Sequence, residues 1–77
     1  MNKTQAKELN TYVSAINDAI NFIEALRDEL QETFDDKSEH WQESNAGTVM
    51  QNHIDILDDA ASSLDSVYDA LSEVEAG

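Results

Sequence analysis

The chain has 77 residues, a formal net charge of −13 from 17 acidic and four basic side chains, and neither cysteine nor proline. A chain this short forms one domain and buries only about 60% of its unfolded surface, which leaves little room for a deep active-site cleft. The charge disfavours bare nucleic acid and anionic membranes as partners and favours basic proteins. The lack of cysteine excludes disulfides and thiolate chemistry.

No targeting or membrane-spanning segment is expected. The residues after Met1 do not form the apolar run of a secretory signal. No stretch of about 18 apolar residues is present, as a membrane span would require. We therefore expect a cytoplasmic protein that contacts neither membrane nor nucleic acid directly.

The first half of the chain predicts one long helix over about residues 3–34. Asn2 is placed to cap it, with Gln5 at the capping-box spacing. Apolar residues then recur at heptad positions a, d and e, which is the wide apolar stripe of a bundle helix and not the narrow seam of a dimeric coiled coil. The stripe consists of Leu9, Tyr12, Val13, Ile16, Ala19, Ile20, Ile23, Leu26, Leu30 and Phe34.

Residues 35–47 lose this stripe and are predicted to form a hinge. Ser38 is positioned to cap a short helical turn that contains Trp41. Ser44 and Thr48 are alternative caps for the next long helix, which we expect to start between residues 45 and 49. Trp41 is the only tryptophan. It either closes the hinge end of the fold or is exposed as a hot spot for a partner.

The last third of the chain predicts a second helix over about residues 48–75. Its apolar positions again fill a, d and e, at Met50, His53, Ile54, Leu57, Ala60, Ala61, Leu64, Val67, Tyr68, Leu71 and Val74. Two long helices joined by a short hinge predict an all-α fold, an antiparallel two-helix hairpin that spans residues 1–77 as a single domain.

Two wide stripes cannot both be buried in an isolated hairpin. We therefore expect self-association into a helical bundle, and thus a homo-oligomer, with burial against a partner protein as the alternative. The predicted bundle interface consists of Leu9, Ile16, Ile23, Leu30, Leu57, Leu64 and Leu71.

The second helix carries acids on its b, c and f positions and contains no lysine or arginine. Such a helix lacks the Glu-to-Lys pairs that normally stabilise an exposed helix surface. A negatively charged binding surface for a basic partner is the leading interpretation. A generally solvated surface and adaptation to high salt are the alternatives. The predicted partner-binding residues are Asp55, Asp58, Asp59, Asp65, Asp69 and Glu73.

Catalytic, metal and cofactor sites are not predicted. Catalytic carboxylates need burial or close pairing to shift their pKa values, and these acids lie at solvent positions of a helix. The spacing of His40 and His53 matches no zinc motif. The run from Asp35 lacks the glycine that a calcium loop requires at its sixth position.

The hinge contains the run Trp41-Gln42-Glu43-Ser44-Asn45-Ala46-Gly47. This run resembles the W-Q-E-S-x-x-G core that lies between two acidic amphipathic helices in a loose group of small acidic proteins from phages, prophages and mobile elements. The likeness extends over about residues 22–75. The resemblance implies no catalytic residues, and it implies a protein that interferes with a host enzyme in the cytoplasm of an infected cell.

A second resemblance is to the W-x-G helical-hairpin secretion substrates, which also place tryptophan in the hinge of two helices. Here Trp41 is followed by Gln42 and Glu43, so the W-x-G triplet itself is absent.

Together, these features predict a non-enzymatic protein-interaction module. The leading hypothesis is a phage-type inhibitor that mimics nucleic acid and occupies the basic surface of a host nucleic-acid-binding or defence protein. The alternative is a structural module that completes a helical bundle with another protein.

Overall fold

The computed structural model describes residues 1–76, which form three helices: α1 (Lys3–Asp36), α2 (Glu39–Gln42) and α3 (Asn45–Ala76). The two long helices pack against each other and form a thin rod with Cα extents of 58 × 14 × 14 Å. Residues 1–76 contain no strand, which confirms the prediction of an all-α fold.

The helix termini extend further than the apolar stripes indicate. Helix α1 continues to Asp36, beyond the predicted end near residue 34. Helix α3 begins at Asn45, earlier than the rounded span of about 48–75 but within the expected range of starts between residues 45 and 49. The stripe marks only residues that face another helix, whereas backbone hydrogen bonding continues through polar residues.

The start of α1 has the predicted capping box. The Asn2 side chain accepts a hydrogen bond from the Gln5 backbone N–H at 2.8 Å, and the Gln5 side chain accepts one from the Asn2 N–H at 3.0 Å. These two bonds satisfy backbone donors that have no partner within the helix.

At the other end of α1, Gln42 caps the helix from a distance in sequence. Its Nε2 donates to the carbonyl oxygens of Phe34 at 2.8 Å and Lys37 at 3.2 Å. The last carbonyls of a helix otherwise lack intrahelical donors. One amide side chain from α2 therefore satisfies the end of α1 and holds the two helices together.

Serines cap both helices that follow. Ser38 accepts a hydrogen bond from the Trp41 N–H at 3.2 Å, which confirms the predicted short helical turn. Ser44 Oγ accepts from the Gly47 N–H at 3.3 Å and donates to the carbonyl oxygen of Trp41. Of the two alternative caps for α3, Ser44 therefore occupies the capping position, and Thr48 lies within the first turn.

Gly47 is buried where the first turn of α3 crosses the end of α2. A Cβ atom built at this position would lie 2.5 Å from the carbonyl oxygen of Trp41 and 2.6 Å from the carbonyl carbon of Gln42. Backbone atoms cannot move aside as a flexible side chain can. Glycine is therefore required for this close approach of two backbone segments.

The core between α1 and α3 is narrow. Four side chains are buried, Val13 and Ile20 from α1 and Ile54 and Ala61 from α3. The residues predicted as the bundle interface are only half-buried. A pair of helices buries one side of each wide apolar stripe and leaves the other side in solvent.

Replacing Gly47 with alanine should destabilise the protein. Alanine would normally favour an interior helical position by about 1 kcal/mol, but here the new methyl group collides with the backbone of α2. Overpacking of this kind costs about 1–3 kcal/mol. We expect a lower melting temperature by circular dichroism. The control Thr48→Ala, in the same turn, should cost nothing, and equal or higher stability of Gly47→Ala would contradict the close approach.

Gln42→Ala should also lower the free energy of unfolding, by about 1–2 kcal/mol, because the carbonyl of Lys37 loses its side-chain donor and the carbonyl of Phe34 keeps only the N–H of Lys37. The matched control is Gln51→Ala, since Gln51 donates only to Asp55 one turn away, at 3.2 Å. That exchange should cost a few tenths of a kcal/mol. Urea unfolding of both variants measures the difference. An equal loss of unfolding free energy in the two variants would show that Gln42 does not cap α1.

Candidate functional site

The six acids predicted to bind a partner are all exposed on α3. At 3.6 residues per turn, each residue is rotated by about 100° from the one before it. This rotation places Asp55, Asp65, Asp69 and Glu73 within about 60° of Asp58. Asp59 is rotated by about 100° from Asp58, beyond Asp55 and Glu73, and lies at the edge of this group. The fold therefore brings five of the six acids onto one side of α3.

Arg27 connects this side of α3 to α1. Its Nη1 donates to Asp58 at 2.7 Å, while its Nε and Nη2 donate to Asp28 at 3.2 and 3.1 Å. The hydrogen bonds to Asp28 and then to Asp58 raise the pKa of the guanidinium above its ordinary value. The interaction is exposed and contributes little to stability. It shows which side of α1 adjoins the acids of α3.

Helix α1 supplies further acids to the same side. Asp28 shares Arg27 with Asp58, and Glu24 and Asp35 lie one turn before and two turns after Asp28. Asp35 also accepts a hydrogen bond from Gln31 at 3.0 Å. We call this surface the acidic face, and it consists of Glu24, Asp28, Asp35, Asp55, Asp58, Asp65, Asp69 and Glu73.

The acids of α1 were missed in the sequence because that helix also contains basic residues and its charge is less one-sided. The spacing of Glu24, Asp28 and Asp35 was a signal that could have found them. Their alignment with α3 is visible only in the packed helices, where Arg27 contacts Asp58 from 31 residues away in the sequence.

The opposite side of the helix pair is apolar and open to solvent. Leu26 and Leu30 of α1 line a groove together with His53, Ile56 and Leu57 of α3. A second groove shares Leu30 and His53 with the first. It continues towards the hinge along Trp41, Asn45, Ala46, Val49 and Met50.

Aromatic and aliphatic residues extend this surface along both helices. Phe22 lies one turn before Leu26 on α1 and is 67% exposed, and Ile56 of α3 is 62% exposed. Residues three, four or seven positions away from these along each helix lie on the same side. We call this surface the apolar face, and it consists of Tyr12, Ala15, Ala19, Phe22, Leu26, Leu30, Val49, His53, Ile56, Ala60, Ser63, Val67, Ala70 and Val74.

Phe22, Val49 and Ile56 were absent from the predicted stripes, because they fall outside the a, d and e positions. Their spacing provided a signal, since Val49 and Ile56 are seven residues apart and therefore lie in line. The predicted stripe residue Tyr12 is 68% exposed. The exposed apolar surface of each helix therefore extends beyond heptad positions a, d and e on one side of the stripe.

Trp41 is half-buried at the hinge end of the apolar face. Its ring packs edge-on against Phe34, with centroids 6.3 Å apart, and Lys37 Nζ lies 5.3 Å from its ring centroid. The same side chain lines the groove with Leu30 and Val49. The two interpretations of Trp41 are therefore compatible, since it packs at the hinge while one edge is available to a partner.

Within residues 1–76, no three histidine, aspartate or glutamate side chains converge as a metal site would require. Among the same residues, no helix has the length and apolar character needed to cross a membrane.

Comparisons with protein-family models, curated proteins and solved structures gave no match. Function is therefore argued from the acidic face and the apolar face themselves.

The acidic face should make the stability of the protein depend on salt. Like-charged pairs one turn apart each cost about 0.2–0.5 kcal/mol. The acidic face contains Asp55–Asp58, Asp65–Asp69 and Asp69–Glu73, and Asp55–Asp59 lies at its edge. Screening them should raise the melting temperature by about 5–10 °C between low and 0.5 M NaCl. Mg²⁺ should act at lower concentration.

Neutralising two of these acids is the control for that effect. The double variant Asp65→Asn and Asp69→Asn should melt higher at low salt and respond less to NaCl. The exposed positions Ser62 and Ser66 flank these acids on α3, and the variant Ser62→Asn with Ser66→Asn should retain the full response. A melting temperature that stays flat across the salt range would show that the acids are compensated.

Proposed function

We propose that this protein is a non-enzymatic interaction module, an antiparallel helical hairpin whose acidic face occupies the basic nucleic-acid-binding surface of another protein. In this proposal it is a phage-type inhibitor that acts in the cytoplasm as a mimic of nucleic acid. The observation that carries the proposal is the alignment of acids from both helices along one side of a long, thin rod.

The charge density of the rod supports this mimicry. Thirteen net negative charges over a length of 58 Å correspond to one charge per about 4.5 Å. One strand of B-DNA carries one charge per about 3.4 Å along its axis. In water, two unit charges interact with an energy of about RT at a separation near 7 Å. The rod is therefore charged densely enough to hold counterions, whose release favours binding to a basic surface.

The composition of α3 supports a binding role over simple solvation. Lysine or arginine placed four residues after an acid would stabilise the helix, yet α3 contains neither. It also uses aspartate at these positions, although glutamate is the better helix former. The resemblance of the hinge to phage and mobile-element proteins supports a host protein as the target.

A structural module that completes a helical bundle with another protein is the second candidate function. The exposed apolar face favours it, because Phe22 and Ile56 present large apolar side chains to solvent. The two candidates differ in their dependence on salt. Binding through the acidic face weakens as salt rises, whereas burial of apolar surface does not.

A capture experiment with charge-reversed variants tests the leading proposal. Asp55, Asp65 and Asp69 are replaced by lysine together, while Asp58 is kept because it accepts a hydrogen bond from Arg27. Each protein is immobilised and exposed to nuclease-treated lysate of the native host. We expect basic nucleic-acid-binding proteins on the wild type, released by salt and by competing duplex DNA, and a loss of at least tenfold on the variant.

The matched control moves the same change in charge to another side of the molecule. Asp18, Glu29 and Asp36 are exposed and share the side of α1 that points away from α3. Their triple lysine variant has the same net charge and should retain its captured proteins. Equal capture by the acidic-face variant, or bound proteins that duplex DNA does not displace, would overturn the mimicry.

A further inference from the structure

We propose that a second copy of this chain covers the apolar face, so that two helix pairs pack face to face as a four-helix bundle. The residues at its centre are Phe22, Leu26, Leu30, His53 and Ile56, which line the grooves or lie next to them. The acidic faces of the two copies then point outward on opposite sides.

The size of the apolar face matches what a stable dimer requires. At 1.5 Å per residue, the face extends about 27 Å from Tyr12 to Leu30 on α1 and about 37 Å from Val49 to Val74 on α3. Two adjacent helices are about 20 Å wide. One copy thus offers about 600–700 Å², and two copies bury about 1,200–1,400 Å² in total, within the standard range of about 1,200–2,000 Å².

The shape of the face suits an identical partner. The apolar face is the flat side of two helices that lie side by side. The same face of a second copy has the same width and length and therefore covers it completely. Large side chains alternate with small ones along α1, where Phe22 is followed towards the N-terminus by Ala19 and Ala15. On α3, Ile56 and Val67 flank Ala60 in the same way. Such alternation lets side chains from facing surfaces interdigitate.

The distribution of charge also permits this contact. The apolar face contains no lysine, arginine, aspartate or glutamate, so its burial takes no formal charge of those residues out of water. The nearest acid on α3, Asp59, lies one turn from Ile56 at the edge of the face, where an interface rim stays hydrated. Repulsion between the two acidic faces acts across the bundle, beyond the Debye length of about 8 Å at physiological salt.

This inference does not depend on the proposed function, and salt separates the two. Self-association through the apolar face should tighten as NaCl screens the charge on both copies. Capture of a basic partner by the acidic face should weaken over the same range.

Sedimentation equilibrium of the wild-type chain and two variants tests the proposal. At 50 µM protein and 0.15 M NaCl, we expect the wild type at twice the chain mass of 8.6 kDa. The double variant Phe22→Glu with Ile56→Glu should sediment as a monomer. The matched control, Asn21→Glu with Ser62→Glu, adds the same charge at exposed positions outside the apolar face and should remain a dimer.

A milder variant tests whether loss of the dimer could result from unfolding. Phe22→Ala removes a side chain that is 67% exposed, so it should keep the helical circular dichroism spectrum while raising the dimer dissociation constant by at least about tenfold. A folded wild type that is monomeric at 50 µM in 0.5 M NaCl would overturn the proposal and leave the apolar face to a different protein. Dimerisation of Phe22→Ala with unchanged affinity would overturn it as well.

Discussion

The contact between Gly47 and the backbone of α2 is the constraint on which the rest of the structure depends. It lets the first turn of α3 lie directly against the carbonyl groups of Trp41 and Gln42. Gln42 in turn reaches the end of α1, so the three helices are joined within a few residues. The rotation of α3 about its own axis is thereby set, and with it the sides on which the acids and the exposed apolar residues emerge. The four buried side chains alone form too small a core to specify that rotation.

This constraint gives the hinge sequence a structural meaning. Trp41 packs on Phe34, Gln42 caps α1, Ser44 caps α3, and Gly47 allows the close approach. These four residues of the W-Q-E-S-x-x-G core form the connection between the helices. Glu43, the other fixed residue of the core, is exposed. The hinge motif therefore accounts for the connection between the helices, while the acids and exposed apolar residues of α1 and α3 come from the rest of the sequence.

Much of the fold could be predicted from the sequence, because capping and helical periodicity are local. The Asn2 capping box and the Ser38 turn depend on residues three apart, and the apolar stripes on spacing along one helix. The acids of α1 and the exposed Phe22 and Ile56 could not be placed in the same way. Their membership of a face depends on how one helix is turned towards the other. The hinge and the packing between α1 and α3 set that orientation, and the contact between Arg27 and Asp58 reflects it. The apolar stripe of a single helix does not indicate which of its two sides the other helix will cover.

The position of the single tryptophan has a practical consequence. Trp41 is half-buried between Phe34 and Lys37 and lines the groove beside Val49. Any molecule that fills this end of the apolar face removes water from one edge of the indole and changes its polar surroundings. The tryptophan fluorescence of the unlabelled protein therefore comes from one defined position, and its emission maximum should shift to shorter wavelength when that position is covered. Tryptophan fluorescence therefore reports binding in the groove without an added label.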